Sequence, residues 1–367
     1  MESTAVDAVN DPVASRDALA ARMFEATLGA FDLLAIHLGL DLGLYRALQE
    51  DGPATPPELA DRAGVHGRYA REWLEHQAVT GLLDVETAAE DGDARRYTLP
   101  AAHAEVLLDP DHLSTMTPMP LMLVSAARTW PALLEAYRTG GGVDWNDYPR
   151  LSEAQELANR PLFQKLLADE WLPAIPDVHA RLSAGGARVA DVAAGAGWSS
   201  IGIARGYPGI TVDGLDLDAE AIGRARENAA AAGLSDRVRF HLVDAGDHSL
   251  DGQFDVVTIF EAVHDLARPV EVLTAVRHLL KPDGVVIVMD EKVAETFSAP
   301  GDEIKRLMYD YSLFFCLANG LADRPSAGTG TVMRPDTFRR YATEAGFGSV
   351  TILPIEHDVF RFYRLDP

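Results

Sequence analysis

His264 and Asp265 stand side by side in the stretch FEAVHDLARP, directly after an apolar run that reads as a strand. An imidazole whose ordinary pKa is near ~6.5 can take up a proton at neutral pH, and a neighbouring carboxylate can orient it, so the pair has the chemistry of a general base with its positioning acid. Asp290 and Glu291 end the next apolar run, GVVIVM, where they either face the same pocket or cap the strand. A different chemistry is carried upstream by VADVAAGAGWSS. Gly195 and Gly197 let the backbone approach a ligand closely, and the helix N-terminus just after them favours negative ligand groups. Asp216 lies about 20 residues further on, the spacing at which a carboxylate accepts both hydroxyls of a ribose.

Two nucleoside ligands use such an acid, NAD and S-adenosylmethionine, and three features separate them. A dinucleotide fingerprint asks for Gly or Ala three residues beyond its second glycine, where Ser200 stands here. Asp191 lies inside the first strand, where its charge suits a ligand carrying an ammonium and a sulfonium better than a pyrophosphate. Asp244 follows the third strand, where an acceptor can take an adenine amino group. Each acid alone is more often a strand-end cap; together they favour S-adenosylmethionine.

These residues need a frame. From Arg188 onward, runs that read as strands (RVADV, ITVDGL, RVRFHLV, FDVVTIF, GVVIVM) are interleaved with helical stretches such as AEAIGRARENAAAAG and PVEVLTAVRHLL. That alternation predicts an α/β fold, a Rossmann-like doubly wound and mostly parallel sheet. The closing SVTILPIEHDVFRFYRL reads as two strands joined by a short turn, giving an antiparallel C-terminal strand. Ligands of such sheets sit at the carboxyl ends of the strands, which is where the glycine loop, Asp216, Asp244 and His264 all fall.

The N-terminal part reads differently. Phe24, Leu28, Phe31, Ala35 and Leu38 recur at spacings of three and four, a helix from Phe24 to Leu48 with an apolar face to bury. Thr55, Pro56 and Glu58 form the start signal of a second helix, and Gly64 stops it. A third runs from about Gly67 to Thr80, followed by LLDV, an acidic tip and RRYTL. Helix, turn, helix and hairpin predict a winged helix. Its charges argue against DNA. Arg62, Arg68 and Arg71 face Glu58, Asp61, Glu72 and Glu75, and the wing sets Asp84, Glu86, Glu90, Asp91 and Asp93 against Arg95 and Arg96. A reader of DNA needs cations for phosphates, and the whole chain carries a net charge of -24. The domains expected are residues 1–110, a helical winged-helix dimerisation domain; 111–182, a helical connector; and 183–367, the ligand-binding domain. The single cysteine, Cys316, forms no intrachain disulfide, and the acidic N-terminus with Glu2, Asp7 and Asp11 has no continuous apolar core of a leader. No stretch approaches the ~20 apolar residues of a membrane span. A soluble cytoplasmic protein without membrane or nucleic-acid partners is expected.

DVAAGAGWSS, DGLDLD, LVDAGD, FEAVHDLARP and LLKPDGVVIVMDE resemble the successive motifs of class I S-adenosylmethionine-dependent methyltransferases, over roughly Arg188 to Leu365. With the winged helix in front, the chain is most similar to bacterial small-molecule O-methyltransferases, where that domain dimerises. Ala193 departs from the family at the first glycine of the loop. The resemblance implies Gly195 and Gly197 near the methionine moiety, Asp216 on the ribose, and Asp244 with Ala245 at the adenine; Asp191, Leu217 and Glu261 complete the expected cofactor set. It also implies His264 as general base for a hydroxyl acceptor, oriented by Asp265 or Asp290, with no metal. In IKRLMYDYSLFFCLANGL, Ile304, Leu307, Met308, Tyr311, Phe314 and Phe315 share one helical face, and Met308, Tyr311 and Phe315 are expected walls of the acceptor pocket. A homodimer acting on a small molecule is the expectation. Two alternatives stay open: metal-assisted C-methylation of a 2-keto acid, and a non-catalytic ligand-sensing regulator.

Overall fold

The computed structural model describes residues 12–86, 91–246 and 248–367. The acidic residues Glu2, Asp7 and Asp11, and Glu90 in the wing, lie outside them. The chain divides into two compact units, Met1–Val124 and Ser125–Pro367. The stretch expected to be a separate connector therefore splits between the two, most of it belonging to the second.

In the first unit, α1 (Pro12–Asp41) is followed by α2 (Leu44–Glu50), because Gly43 takes φ 67° and breaks the single helix expected up to Leu48. Next come α3 (Pro56–Ala63) and α4 (Gly67–Val79), then a two-stranded wing of β1 (Asp84–Val85) against β2 (Tyr97–Thr98), and α5 (Ala101–Leu108). Thr55 caps α3 with the full reciprocal box: its hydroxyl accepts from the Glu58 N–H, and Glu58 Oε2 accepts from the Thr55 N–H at 2.8 Å. Tyr45, Leu59, Leu74 and Tyr97 close the core. A concavity of about 400 Å³ between α3, α4 and Asp93 is lined by Asp61, Arg68 and Arg71, and Arg71 pairs there with Asp93 at 3.4 Å. Against the expectation from sequence, α1 is long and apolar enough to cross a membrane by length and composition. It leaves Phe24 and Phe31 62% and 60% exposed, beside Met23, Leu28 and Leu38.

The helix α6 (Pro118–Thr139) leads into the second unit, which continues through α7 (Leu151–Lys165) and α8 (Pro176–Ser183). Its sheet holds seven strands: β3 (Arg188–Val192), β4 (Thr211–Asp216), β5 (Val238–Leu242), β6 (Phe254–Phe260), β7 (Leu280–Glu291), β8 (Ser349–Ile352) and β9 (Phe360–Asp366), in the order β5-β4-β3-β6-β7-β9-β8. The first five are parallel and β9 runs antiparallel to both neighbours, as the closing sequence predicts. Crossover helices α9 (Trp198–Gly206), α10 (Ala219–Ala231) and α11 (Pro269–Leu279) flank it, and α12 (Glu303–Tyr311), α13 (Leu317–Gly320) and α14 (Pro335–Glu344) come after β7. Successive residues of one strand enter opposite cores: Val189 and Val256 pack on one face, Ala190 and Val257 on the other. Both faces are covered, which is why the strands read as unbroken apolar runs. The strand order reverses between β3 and β6, and the crevice above that switch point receives the glycine loop from one strand and the His264 loop from the other.

Candidate active site

The glycine loop turns sharply after β3. Ala193 takes φ 58°, Gly195 φ 52° and Gly197 φ 81°. The two glycines serve different ends. A Cβ on Gly195 would meet nothing within 4 Å, leaving that backbone open to a ligand, whereas one on Gly197 would lie 2.4 Å from the Phe240 ring. Gly197 is thus required by packing. At the departure from the family pattern, an L-residue is held in the left-handed region, which costs ~1 to 2 kcal/mol for a side chain bearing Cβ. We expect Ala193→Gly to relieve more than the added unfolded-state freedom of glycine costs, raising Tm by about 1 to 3 °C in a calorimetric scan. A lower Tm would show that Ala193 is not strained.

Asp216 at the end of β4 faces this loop. Its Oδ2 accepts from the Gly195 N–H at 2.8 Å and its Oδ1 from the Asp218 N–H at 2.9 Å, so the carboxylate is fixed in place with lone pairs to spare. Leu217 beside it is 70% exposed, an apolar surface without cover, and Leu242, which the sequence reading did not single out, is likewise exposed. Asp244 is exposed and accepts from the Gly246 N–H, while Ala245 is buried. Asp191 differs from its expected role. It is 1% exposed, and its oxygens accept from the hydroxyls of Ser199, Ser200 and Thr258 at 2.5, 2.6 and 2.7 Å. The parallel register sets Thr258 directly opposite it. Burial holds its carboxyl above the ordinary range despite those three donors. Asp191 therefore ties β3 to β6 and to the first turn of α9 from beneath, and presents no free oxygen to a ligand cation.

The second half of the site comes after β6. Glu261 sits at φ 51° with its N–H bonded to the Met289 carbonyl, and the register of β6 with β7 pairs Phe260 with Met289, so Asp290 meets the loop that carries His264. Left-handed backbone at a non-glycine residue is a strain that surrounding structure must hold. Glu261 Oε2 accepts from Gln155 Nε2 at 2.5 Å and Asn159 Nδ2 at 2.9 Å, both from α7; its Oε1 is buried with no partner among the described residues. Burial raises this carboxyl to about 7, against the Asn159 hydrogen bond and the His264 charge. A buried carboxylate oxygen with no partner, beside the open backbone of Gly195's strand end, fits a ligand ammonium.

His264 is 2% exposed. Its Nδ1 lies 2.8 Å from Asp290 Oδ1 and 2.8 Å from Glu291 Oε2, and its Nε2 lies 3.3 Å from Asp265 Oδ1. Burial alone would lower its pKa, but the facing charges of Glu291, Asp265 and Asp290 outweigh it and hold the ring well above its ordinary value. Asp290 is conversely held low: burial raises it, but the His264 contact prevails. Asp290 Oδ1 can thus accept the proton of Nδ1, while Nε2 faces Asp265. Of the two orienting acids expected, Asp290 takes that role; Asp265 stands on the opposite edge of the ring. The Gly330 N–H holds the His264 carbonyl at 3.1 Å.

The helix expected over residues 304–321 is interrupted. After α12, residues Ser312–Cys316 form a π-turn before α13, so the apolar stripe does not run straight. The widened turn rotates the residues downstream of it and buries Phe315 and Cys316 together, while Leu313 is exposed. Burial pushes the Cys316 thiol up to about 12, so it remains a neutral neighbour of His264 and Asp265. Met308 is buried, and Phe315 packs against Tyr148 with ring centroids 5.6 Å apart; the Tyr148 hydroxyl is buried without a partner among the described residues. Tyr148 and the α7 residues were missed by the sequence reading, although Gln155, Glu156 and Asn159 at one- and four-residue spacings are a polar stripe on a helix otherwise read as a connector. Glu156 accepts from Trp198 Nε1 at 2.8 Å.

Residues 183–323 match a family model described as a methyltransferase domain, and residues 30–108 one described as an Rv2258c-like winged HTH domain. The chain is 27% identical to the mitomycin biosynthesis 6-O-methyltransferase of Streptomyces lavendulae, over 78% of this chain and 81% of that protein. It is 30% identical to a ubiquinone biosynthesis O-methyltransferase of Azoarcus sp. (strain BH72), over 53% of this chain and 77% of that one. Among solved structures, the mitomycin 7-O-methyltransferase MmcR superposes with a TM-score of 0.73 at 22% identity, covering 96% of this chain and 99% of that one.

Proposed function

Because this chain belongs to the S-adenosylmethionine-dependent methyltransferases, we propose that it methylates a hydroxyl of a small-molecule acceptor with His264 as general base. The observation that supports this is the contact of His264 Nδ1 with Asp290 Oδ1 at 2.8 Å, which favours the tautomer with the proton on Nδ1 and Nε2 as acceptor. Bound S-adenosylmethionine supplies an electrophilic methyl group on a sulfonium that departs as a neutral thioether. On this reading Asp216 accepts from the ribose hydroxyls, Leu217 and Leu242 cover the adenine, Glu261 holds the ammonium, and His264 Nε2 receives the acceptor's proton. Alignment of the three reacting atoms contributes ~7 to 11 kcal/mol and the base a further ~10²- to 10⁴-fold. Incubating the protein with labelled cofactor and a panel of hydroxylated aromatics, then locating the label by mass spectrometry, tests it; label on carbon or nitrogen alone would refute O-methylation.

Metal-assisted C-methylation draws on one observation, that His264, Asp290 and Glu291 bring three ligand atoms within 4.8 Å of one another. The 2.8 Å separations there are shorter than the about 3.3 Å between ligands that a tetrahedral ion at about 2.0 Å requires. We expect turnover to persist in excess chelator.

The winged helix we assign to dimerisation. Support comes from the uncovered face of α1, with Phe24, Phe31 and Leu38 exposed in a single chain. It also comes from the cations of the domain, because Arg68, Arg71, Arg95 and Arg96 are engaged by Glu72, Glu75 and Glu58 instead of projecting toward a phosphate backbone. Light scattering at micromolar concentration is expected to report twice the 39.7 kDa chain mass. A monomer, partition into lipid vesicles, or salt-sensitive binding to random duplex DNA would reverse this.

A further inference from the structure

A second cluster of charge adjoins the acceptor side, and it is positive. A small cavity of about 20 Å³ is lined by Lys292 and Val293 just past β7, by Thr296 and Ser298, by Lys305 and Met308 of α12, and by Arg334 ahead of α14. None of its lining residues is acidic, in a chain with 32 Lys and Arg against 56 Asp and Glu. The volume exceeds the ~10 to 15 Å³ that one water needs.

The three cations are held in place by neutral oxygens, and the two lysines also form ion pairs, each at 3.5 Å. Lys292 Nζ donates to the His357 carbonyl at 2.9 Å, and its acidic neighbour Glu356, at 3.5 Å, is almost fully exposed. Lys305 Nζ donates to Ser298 Oγ at 3.2 Å and reaches Asp302 only at 3.5 Å. Arg334 donates one Nη1–H to the Ala294 carbonyl at 2.6 Å and has no carboxylate partner among the described residues. A guanidinium anchored by one edge keeps its remaining donors for a planar oxyanion.

Met308, expected from the sequence as a wall of the acceptor pocket, also lines this cavity, and Lys292 comes directly after Glu291, whose carboxylate lies beside His264. We propose that Lys292, Lys305 and Arg334 form an anion subsite that selects acceptors bearing a carboxylate, so that the substrate class is a hydroxylated aromatic acid. This rests on the assignment of the Met308 side as the acceptor pocket. Local charge has the matching sense: carboxylates crowd the reacting hydroxyl's end around His264, cations the far end, and an acid entering in reverse would bring its charge against Asp265 and Glu291.

The test uses the full chain saturated with S-adenosylhomocysteine, titrated with 6-hydroxy-2-naphthoate and with its uncharged analogue 2-naphthol. The wild type is expected to bind the acid at least about tenfold tighter, the scale of one charge-assisted contact. In Arg334→Gln and in Lys305→Met that preference should fall below about threefold, with 2-naphthol affinity unchanged as the control for folding. Equal affinities in the wild type, no binding of the acid, or a preference untouched by both substitutions would overturn the subsite. Methyl transfer is tracked by mass spectrometry in parallel samples in which S-adenosylmethionine replaces S-adenosylhomocysteine. Acid that binds with this preference yet is never methylated would count against O-methylation and leave the subsite standing.

Discussion

His264→Ala is expected to lower kcat on an un-ionised hydroxyl acceptor by ~10²- to 10⁴-fold while leaving cofactor affinity nearly unchanged, because the lost interaction exists mainly in the transition state. The deficit should shrink with increasingly acidic phenols, which ionise unaided. The pH dependence stems from the same geometry. Glu291, Asp265 and Asp290 hold the imidazole's pKa well above its ordinary value, and a protonated ring cannot take a proton. The wild-type rate should therefore climb with pH through neutrality, close to tenfold per unit below the governing pKa, and His264→Ala should flatten that limb. Steady-state kinetics from pH 6 to 9 on both proteins checks the pair of statements. A variant that keeps the wild-type kcat and profile would make His264 a structural residue of the strand end.

The second large effect is expected on binding. Asp216→Ala leaves the Gly195 and Asp218 N–H groups without their partner and, on the proposed reading, removes the acceptor of two ribose hydroxyls. Charge-assisted bonds of this kind contribute about 1.5 to 3 kcal/mol, so calorimetric affinity for S-adenosylhomocysteine should fall by about 10- to 150-fold. Asp216→Asn, which keeps one acceptor oxygen, should lose less. Unchanged affinity in the alanine variant would remove Asp216 from the cofactor site, and no binding by the wild type would sink the cofactor reading as a whole.

Much of the frame was legible because its signals are local. Strand and helix periods between Arg188 and Asp366, the Thr55 capping box and the antiparallel ending are each set by residues near one another in sequence. Gly195 and Asp216 were legible too, because the parallel pairing of β3 with β4 is what puts an acid at the end of one strand beside the loop after the other. Reading Asp191 by its charge did not foresee that three hydroxyls, one of them on a different strand, donate to its carboxylate. The break at Gly43 and the π-turn at Ser312–Cys316 escaped the helical period, which records which residues are apolar and not where a turn widens.

By itself, then, the sequence determined the α/β architecture and the winged helix, and marked the glycine loop and the candidate base, because hydrophobic period, glycine placement and strand-end acids are properties of short segments. Only the tertiary structure decided which acid holds His264, that α7 supplies Gln155 and Asn159 to Glu261, and that Lys292, Lys305 and Arg334 meet in one cavity. Each of those juxtapositions joins residues tens to more than a hundred positions apart. Their distances are fixed by strand register and by the packing of helices over the sheet, and no local pattern of residue types encodes either.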